Sequence, residues 1–454
     1  MAMFQIDRGP DKVIAAKMPD IAVVGFGFIG SVVGAVLAER GCNVTGVEVD
    51  SEIRQAIEEG HCPFAEPEMN EIIERVVHNS RLSITDDVKA VAKADVVLVC
   101  VGTPLGQNQA ADLSAVEGAL AAISPHLRPG QLVILKSTLP PGTTSELAKM
   151  LRQYEPRVLV AFCPERLAEG QAVRDLTSIP VVVGGVDAPS TEAAAAFFEK
   201  TLPVEVIKVR NATTAEMSKL ADNLWIDLNI ALANEIAKIS DRLNIDALEV
   251  IDAANSLPKL KGRVNILLPS LGVGGYCLTK DPWFVHEMGR RLGLDLQTPV
   301  TSRRVNDTMP SYSVSLIRDF LCKTGVRLED AKIAVLGLAF KSNTGDCRYT
   351  PTAPAIKELR EAGCELRVFD PWVKRADALK IAGIAPVASI DAAISGVHVV
   401  AFFTGHREFH LIEPAYLAEK ARPGALIFDG RMYFNRGKIE QMIARGLTYK
   451  GVGW

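Results

Sequence analysis

The chain has 454 residues, enough for about three domains and several buried cores. Hydrophobic residues make up 48% and charged residues 23%, the ordinary globular balance, which excludes a disordered chain. Lys and Arg total 50 against 54 Asp and Glu, so the net charge of -4 gives no global pull toward nucleic acid or an anionic membrane, and neither is an expected partner.

Residues 1–19 mix charged and apolar residues without a hydrophobic signal core and read as a surface arm. Residues 21–38 form an uncharged run of marginal length for a membrane span. Gly25, Gly27, Gly30 and Gly34 fit a strand, a tight turn and a buried helix better, and no comparable run follows. From residue 21 to about 210, the runs IAVVG, NVTGVEV, DVVLVCVG, QLVILKST, VLVAFC, VVVGG and VEVIKV alternate with amphipathic stretches. That pattern predicts parallel βαβ units in a doubly wound sheet. No glycine occurs between Val186 and Lys261, and Met217, Leu220, Leu224, Leu228, Leu232, Ile236, Ile239 and Leu243 recur at steps of three and four. This predicts one helix on the order of 45 Å long, opened by a Thr213/Glu216 capping box and suited to linking domains or building a subunit interface. From Lys332 the runs KIAVLGLAF, ELRVFDP, HVVAFFT and ALIFDG predict a second α/β domain, and VLGLAFKS weakly repeats VVGFGFIG without its glycine triad. The expected fold is therefore α/β: two Rossmann-like doubly wound parallel-sheet domains, 20–210 and 326–454, joined by a central helical domain, 211–325, with one long helix.

Gly25-Phe-Gly27-Phe28-Ile29-Gly30 follows a strand and opens a helix, the arrangement that lets a pyrophosphate approach a helix N-terminus. Glu48 ends the next strand, where a carboxylate accepts ribose hydroxyls and repels a 2'-phosphate, favouring NAD over NADP. Asp50 competes for the ribose role, and Arg54 either reaches a cofactor phosphate or is solvated. Thr103-Pro104, Ser137-Thr138 and Pro164-Glu165 each follow an apolar strand, at the ends where ligands bind in such sheets. The eight cysteines show no C-x-x-C pair and no regular spacing, which reads as a reducing compartment without a zinc site. Seven read as inert small side chains. Cys277 differs: Gly272, Gly274 and Gly275 precede it, Lys280 lies within reach of activating a thiol, and Asp281 adds a carboxylate. Lys219 and Asn223, spaced i,i+4, share one face of the long helix, where the plain alternative is a solvated lysine. Of the histidines, His406 in Thr404-Gly405-His406 is the one placed for a ligand contact.

The segments GFGFIG, VGTP, KSTLPPGT, CPERLAEG, TAEMSKLADN, GVGGYCLTKDP, GLAFKSNTGDCR and FDP, in this order over roughly residues 20–440, resemble the UDP-glucose/GDP-mannose dehydrogenase family. The resemblance implies oxidation of the C6 hydroxymethyl of a nucleotide sugar to a carboxylate, with reduction of two NAD. It implies Cys277 as nucleophile, Asp281 with a water as proton route, Lys219 and Asn223 as oxyanion stabilisers, and Glu165 with Thr138 in thioester hydrolysis. Cofactor contacts fall on Gly25, Gly27, Phe28, Ile29, Gly30, Glu48, Arg54, Thr103, Thr138 and Lys280. Substrate contacts fall on Glu165, Arg166, Leu167, Glu169, Lys219, Asn223, Gly274, Phe340, Lys341 and Arg348, with Arg263 reaching the substrate of a neighbouring subunit. The residues 326–454 then form a UDP-sugar-binding domain, no metal is implied, and the long helix builds a homodimer or a higher homo-oligomer of a cytoplasmic enzyme.

Pro164-Glu165-Arg166-Leu167 and Asp281-Pro282-Trp283 resemble the branch acting on UDP-N-acetylhexosamines such as UDP-N-acetylmannosamine, whereas Lys280 resembles the UDP-glucose branch. Three rivals remain: a UDP-glucose 6-dehydrogenase, a single-step dehydrogenase of the 6-phosphogluconate or 3-hydroxyacid type, and a non-catalytic NAD or UDP-sugar binding protein. The second has no use for the long chain after Gly325, and the third none for a cysteine, lysine and carboxylate kept together.

Overall fold

Short runs of Val, Ile, Leu and Ala, each closed by a glycine or a polar turn, become the strands of two separate sheets. The computed structural model describes residues 17–259 and 262–454, so the expected N-terminal arm lies outside the described residues except for 17–19. The chain divides into two units, Met1–Ala221 and Asp222–Trp454, with the boundary inside the helix Ala212–Leu243.

In the first unit, β1 (Asp20–Val24), β2 (Asn43–Val47), β3 (Leu82–Thr85), β4 (Val96–Val99), β5 (Leu132–Leu135), β6 (Leu159–Phe162), β7 (Val181–Gly185) and β8 (Val206–Lys208) lie in the order β3-β2-β1-β4-β5-β6-β7-β8. The first six are parallel in the dinucleotide-binding order 3-2-1-4-5-6. The all-parallel expectation fails at one place, where β7 pairs antiparallel with β6. The link between them holds only a loop and the helix Ala172–Ser178 and stays at the carboxyl end of β6, so it returns the chain antiparallel instead of crossing over. Both faces are covered: Val97, Val99, Val133, Leu135, Val160 and Phe162 enter one core, and Val96, Leu98, Leu132, Ile134, Ala161 and Cys163 the other. Each fully buried Leu or Ile there contributes about 1.5–3 kcal/mol.

The second unit begins with the helical region: most of the long helix, Ala247–Asn255, Asp281–Arg291, Gln297–Asp307 and Met309–Lys323, with a small hairpin of β9 (Pro258–Lys259) and β10 (Gly262–Arg263). A five-stranded parallel sheet follows, β11 (Lys332–Leu336), β12 (Glu365–Phe369), β13 (Val399–Phe402), β14 (Leu426–Asp429) and β15 (Thr448–Gly451), in the order β12-β11-β13-β14-β15. This is the second doubly wound order, with its switch point between β11 and β13.

The long helix forms as expected, over Ala212–Leu243. Its buried positions include Ala215, Glu216, Lys219, Leu220, Asn223, Asp227, Ala231, Asn234, Ala237 and Ser240, whereas Trp225, Leu228, Leu232, Ile239 and Leu243 are 40–63% exposed. The expected capping box is also replaced. Asn211 Oδ1 accepts the Thr214 N–H at 2.9 Å, and Glu216 caps another helix, accepting the N–H of Gly142 and Thr144 at 2.6 Å where Thr143–Tyr154 begins.

Candidate active site

The glycine turn after β1 divides its labour residue by residue. Gly25 turns the chain at φ +83, and a Cβ there would meet Val101 Cγ1 at 2.8 Å. A Cβ on Gly30 would lie 2.0 Å from the Gly25 carbonyl oxygen, so the helix Phe28–Glu39 seats directly on the turn. Gly27 has nothing within 4 Å of its Cβ position and caps that helix without a side chain. Open space at an uncapped helix N-terminus is what a pyrophosphate requires, so these residues fit NAD. Glu48 is buried beside the turn: Oε2 accepts the Phe26 N–H at 2.6 Å and keeps acceptor capacity, while Oε1 takes the N–H of Val49 and Asp50. Asp50 is used otherwise, as the cap of the helix Ser51–Glu58 through Glu52 and Ile53 N–H. Arg54 Nη1 donates to the Glu48 carbonyl at 2.8 Å, and its guanidinium lies 3.4 Å from Asp86.

Thr103, Thr138 and Glu165 lie in the loops that leave the carboxyl ends of β4, β5 and β6. Ser137 Oγ donates to the Val101 carbonyl at 2.7 Å, joining the first two loops, and Thr103 is buried. In the third, Glu165 Oε1 accepts the Leu167 N–H, Arg166 donates to the Pro180 carbonyl, and Asp175 accepts the Ala168 N–H at 2.8 Å. Glu66 was missed in the sequence: its buried carboxylate accepts Gly170 N–H at 2.5 Å and Ala172 N–H at 2.7 Å, closing the Glu165–Gly170 loop from below. A Glu-Pro pair outside any periodic segment was the signal. Lys219 is buried on the long helix, so the solvated reading fails.

In the second unit, Cys277 is exposed on the turn before the helix Asp281–Arg291, and its carbonyl accepts Lys280 N–H at 3.1 Å and Asp281 N–H at 2.9 Å. Asp281 is fully buried, yet both oxygens are satisfied: Oδ1 by Lys280 Nζ at 2.6 Å, Oδ2 by Asn223 Nδ2 at 2.5 Å. Lys280, expected as a cofactor ligand, is thereby engaged with Asp281, and its ammonium also lies 4.4 Å from the Phe284 ring. Gly274 and Gly275 leave no room for a side chain, since a Cβ on either would meet Phe340 at 2.6 Å. Gly275 N–H donates to the Arg348 carbonyl at 3.0 Å, and the Arg348 side chain lies over Tyr276 and bonds Asp346. Asn223, Gly274, Cys277, Lys280, Asp281, Phe340 and Arg348 thus come together, whereas Arg263 is exposed on the hairpin. Of the other cysteines, burial pushes Cys100 and Cys347 up to about 12 and Cys42 up to about 11, which keeps them unreactive near neutrality. Cys322 is the second exposed one, in the last turn of the helix Met309–Lys323, where its carbonyl accepts the Gly325 N–H at 3.2 Å.

At the switch point of the second sheet, Phe340, Lys341, Ser342, Thr404, His410 and Tyr433 line a cavity of about 450 Å³. The loop 337–351 separates β11 from its helix Thr352–Glu361, where in the first sheet a glycine turn joins strand and helix directly. His406 is not available to a ligand: Nδ1 accepts the Asn343 N–H at 2.9 Å and Nε2 donates to Asp370 at 3.0 Å. It pins the loop instead. Arg431, also missed, is half-buried and donates to the carbonyls of Phe403, Gly272 and Phe340 at 2.9, 3.3 and 3.1 Å.

The fold and these residues define an NAD-dependent dehydrogenase with a second nucleotide-binding domain. Comparison with known families matches 19–202 to the NAD binding domain, 213–308 to the central domain and 334–436 to the UDP binding domain of one family. The chain belongs to the UDP-glucose/GDP-mannose dehydrogenase family and is an NAD-dependent nucleotide-sugar dehydrogenase. It is 34% identical to a UDP-N-acetyl-D-mannosamine dehydrogenase of Methanocaldococcus jannaschii, over 92% of this chain and 93% of that one. It is 33% identical to an NDP-N-acetyl-D-galactosaminuronic acid dehydrogenase of Ralstonia nicotianae, over 89% and 94%. A solved UDP-glucose dehydrogenase of Pyrobaculum islandicum superposes with a TM-score of 0.86 at 29% identity, covering 99% and 100%. No helix among the described residues is long and apolar enough to cross a membrane.

Proposed function

We propose that this enzyme oxidises C6 of a UDP-N-acetylhexosamine, of the manno, gluco or galacto series, to the uronate in a four-electron reaction that supplies a polysaccharide or glycan precursor in the cytoplasm. Its organisation is 20–210 for NAD, 211–325 for catalysis and dimerisation, and 326–454 for the UDP-sugar. The observation that carries the reading is the exposed Cys277 on a glycine turn next to the buried Asn223–Asp281–Lys280 cluster. Bound NAD supplies the hydride acceptor for both oxidations. Asp281 passes the proton of the C6 hydroxyl to water. Cys277 captures the aldehyde as a thiohemiacetal and carries the acyl group as a thioester. Lys219 and Asn223 stabilise the oxyanion. Glu165, with Thr138, deprotonates the water that hydrolyses the thioester. Gly25, Gly27, Phe28, Ile29, Gly30, Glu48, Arg54 and Thr103 hold the cofactor. Arg166, Leu167, Glu169, Gly274, Phe340, Lys341 and Arg348 hold the substrate, and Arg263 reaches the site of a partner subunit. The exposed stripe from Trp225 to Leu243 supports a homodimer, since a row of large apolar side chains on one helix face is stable when a second copy covers it.

The N-acetyl specificity is favoured by Arg166 and Pro282-Trp283 and by the two relatives, whereas the fold also fits a UDP-glucose enzyme. The test is NADH formed per sugar, with UDP-N-acetylmannosamine, UDP-N-acetylglucosamine, UDP-N-acetylgalactosamine and UDP-glucose, beside a Cys277→Ala variant. Two NADH per sugar and loss of turnover in the variant are expected, with an N-acetyl sugar the fastest. One NADH per sugar and an active variant would refute the covalent route.

A further inference from the structure

The loop 164–171 carries Glu165, Arg166, Leu167 and Glu169. Its first end is fixed by the sheet, where Cys163 N–H donates to the Leu135 carbonyl at 3.0 Å. Within it, Leu167 N–H bonds the Glu165 carboxylate, Ala168 N–H donates to Asp175 at 2.8 Å, and Gln171 N–H donates to the Ala168 carbonyl at 2.9 Å. The far end enters the helix Ala172–Ser178, whose N-cap Gln171 makes no side-chain bond. A Ser or Asp at that position would cap the helix from within. Glu66, 106 positions before Ala172, does so instead. One oxygen accepts Gly170 N–H at 2.5 Å, the other accepts Ala172 N–H at 2.7 Å, and the residue is only 8% exposed.

The segment that brings Glu66 there is itself fixed. Phe64 packs edge-on against Phe28, the first residue of the helix Phe28–Glu39, with ring centroids 6.0 Å apart. Cys62 N–H donates to Asn70 Oδ1 at 3.1 Å, Glu66 N–H donates to the Phe64 carbonyl at 3.1 Å, and Met69 is fully buried. A carboxylate anchored in this way makes strong charge-assisted bonds to two N–H groups of one loop, and so decides where that loop ends. Without it the buried Ala172 N–H would lose its acceptor. We propose that Glu66 is the positioning residue of the sugar-nucleotide loop: by holding Gly170 and Ala172 it keeps Glu165, Arg166, Leu167 and Glu169 where a bound UDP-sugar meets them. It acts only through the loop. The inference rests on the reading above, which gives substrate contacts to these four residues and thioester hydrolysis to Glu165.

The experiment compares Glu66→Gln with the wild type, using the fastest of the four UDP-sugars named above. Glutamine keeps the shape and one acceptor but turns an N–H toward the second backbone N–H. The sugar KM is expected to rise about 10-fold or more and kcat to fall, since a misplacement of about 1 Å in a binding group costs up to roughly 100-fold. NADH affinity, measured by fluorescence titration, should stay within about twofold of the wild type, because the glycine turn after β1 is untouched. In a Glu165→Gln background, adding Glu66→Gln should change kcat by less than about twofold, as residues that act through one step are not additive. A lowered melting temperature with sugar KM and kcat unmoved overturns the role and makes Glu66 structural. Equal losses of sugar and NADH affinity overturn it too, since the whole domain would then be disturbed. If the Gln variant does not fold, Glu66→Asp, which keeps the charge but falls short of the loop, gives the same comparisons. A wild type that makes one NADH per sugar sinks the four-electron reading and the hydrolytic role of Glu165. The sugar KM still decides on Glu66 in that case: a raised value upholds the loop's positioning, and an unmoved one overturns it.

Discussion

The loop that carries Cys277 is anchored by a buried ion pair, and removing one partner should be costly. Asp227 on the long helix is fully buried; Oδ1 accepts from Arg303 Nη1 at 2.7 Å and Asn306 Nδ2 at 2.8 Å, and Oδ2 from Ser302 at 2.7 Å. Arg303, 2% exposed, also donates to the Leu278 carbonyl at 3.3 Å, one residue beyond Cys277, and bonds Asp307. In Asp227→Ala the guanidinium stays buried without its main counter-charge, a loss of about 3–5 kcal/mol. At about 2–4 °C per kcal/mol for a unit of this size, the melting point of the second unit should drop by roughly 6–20 °C. Replacing both partners, Asp227→Leu with Arg303→Met, removes the uncompensated charge and should recover most of that loss. The assay is differential scanning calorimetry of the wild type, both single variants and the double variant. A drop below about 3 °C in Asp227→Ala, or a double variant less stable than either single one, would refute the reasoning. The double variant should still lose kcat, because the Leu278 carbonyl has lost its donor.

Three further outcomes follow from the geometry. Gly30→Ala should abolish NAD binding and lower solubility, because its Cβ meets the Gly25 carbonyl at 2.0 Å; Gly27→Ala should fold normally and bind NAD more weakly, since its Cβ enters space free of protein. Fluorescence titration with NADH checks both, and equal affinities would contradict the assignment. Burial works to raise Asp370, but the hydrogen bond from His406 and the N–H groups of Leu338 and Trp372 outweigh it and hold its carboxyl below the ordinary 3.8. Its contribution is therefore present above about pH 4 and lost as the pH falls through the lower folded value; Asp370→Asn should be less stable in urea at pH 7, and its gap from the wild type should narrow as the pH falls below about 4. Leu232→Glu with Ile239→Glu places two charges in the exposed stripe, and sedimentation should show a monomer against the dimer proposed for the wild type.

Both α/β domains were legible in sequence because parallel strands buried on both faces read as continuous apolar runs, and those runs became β1, β4, β5, β11, β13 and β14. The strands β3 and β15 were missed, as LSIT and TYKG carry too few apolar residues to stand out. Hydrophobic periodicity located the long helix correctly, and much of its apolar stripe is exposed. Periodicity alone does not say which face is inner, and here the buried side carries the polar residues Glu216, Lys219, Asn223, Asp227 and Asn234. Glycines at the cofactor turn and before Cys277 were readable because each allows a close approach that any Cβ would block. Glu66, Lys136, Arg303 and Arg431 were not, because a charged residue within a sequence gives no sign of whether it will be buried.

Lys136 and Arg431 show what the two sheets share beneath different connections. Each is a cation just past the carboxyl end of an inner strand, Lys136 buried after β5 and Arg431 half-buried after β14. Each is held by backbone carbonyls and not by a carboxylate, the one by Cys163 and the other by Phe403, Gly272 and Phe340. Burial brings Arg431 down to about 10, still charged at neutral pH, although Asp429 lies two residues away. The Asp429 charge acts on it, although the oxygens of that carboxylate are taken by the N–H groups of Arg431, Tyr433 and Phe434 and by the Tyr449 hydroxyl. Carbonyl dipoles hold each cation in place at the strand ends. Parallel sheets bind their ligands at that edge. A charge fixed there in advance needs no reorganisation when an anionic group arrives, which gives a physical reason for placing a cation at that point in both domains.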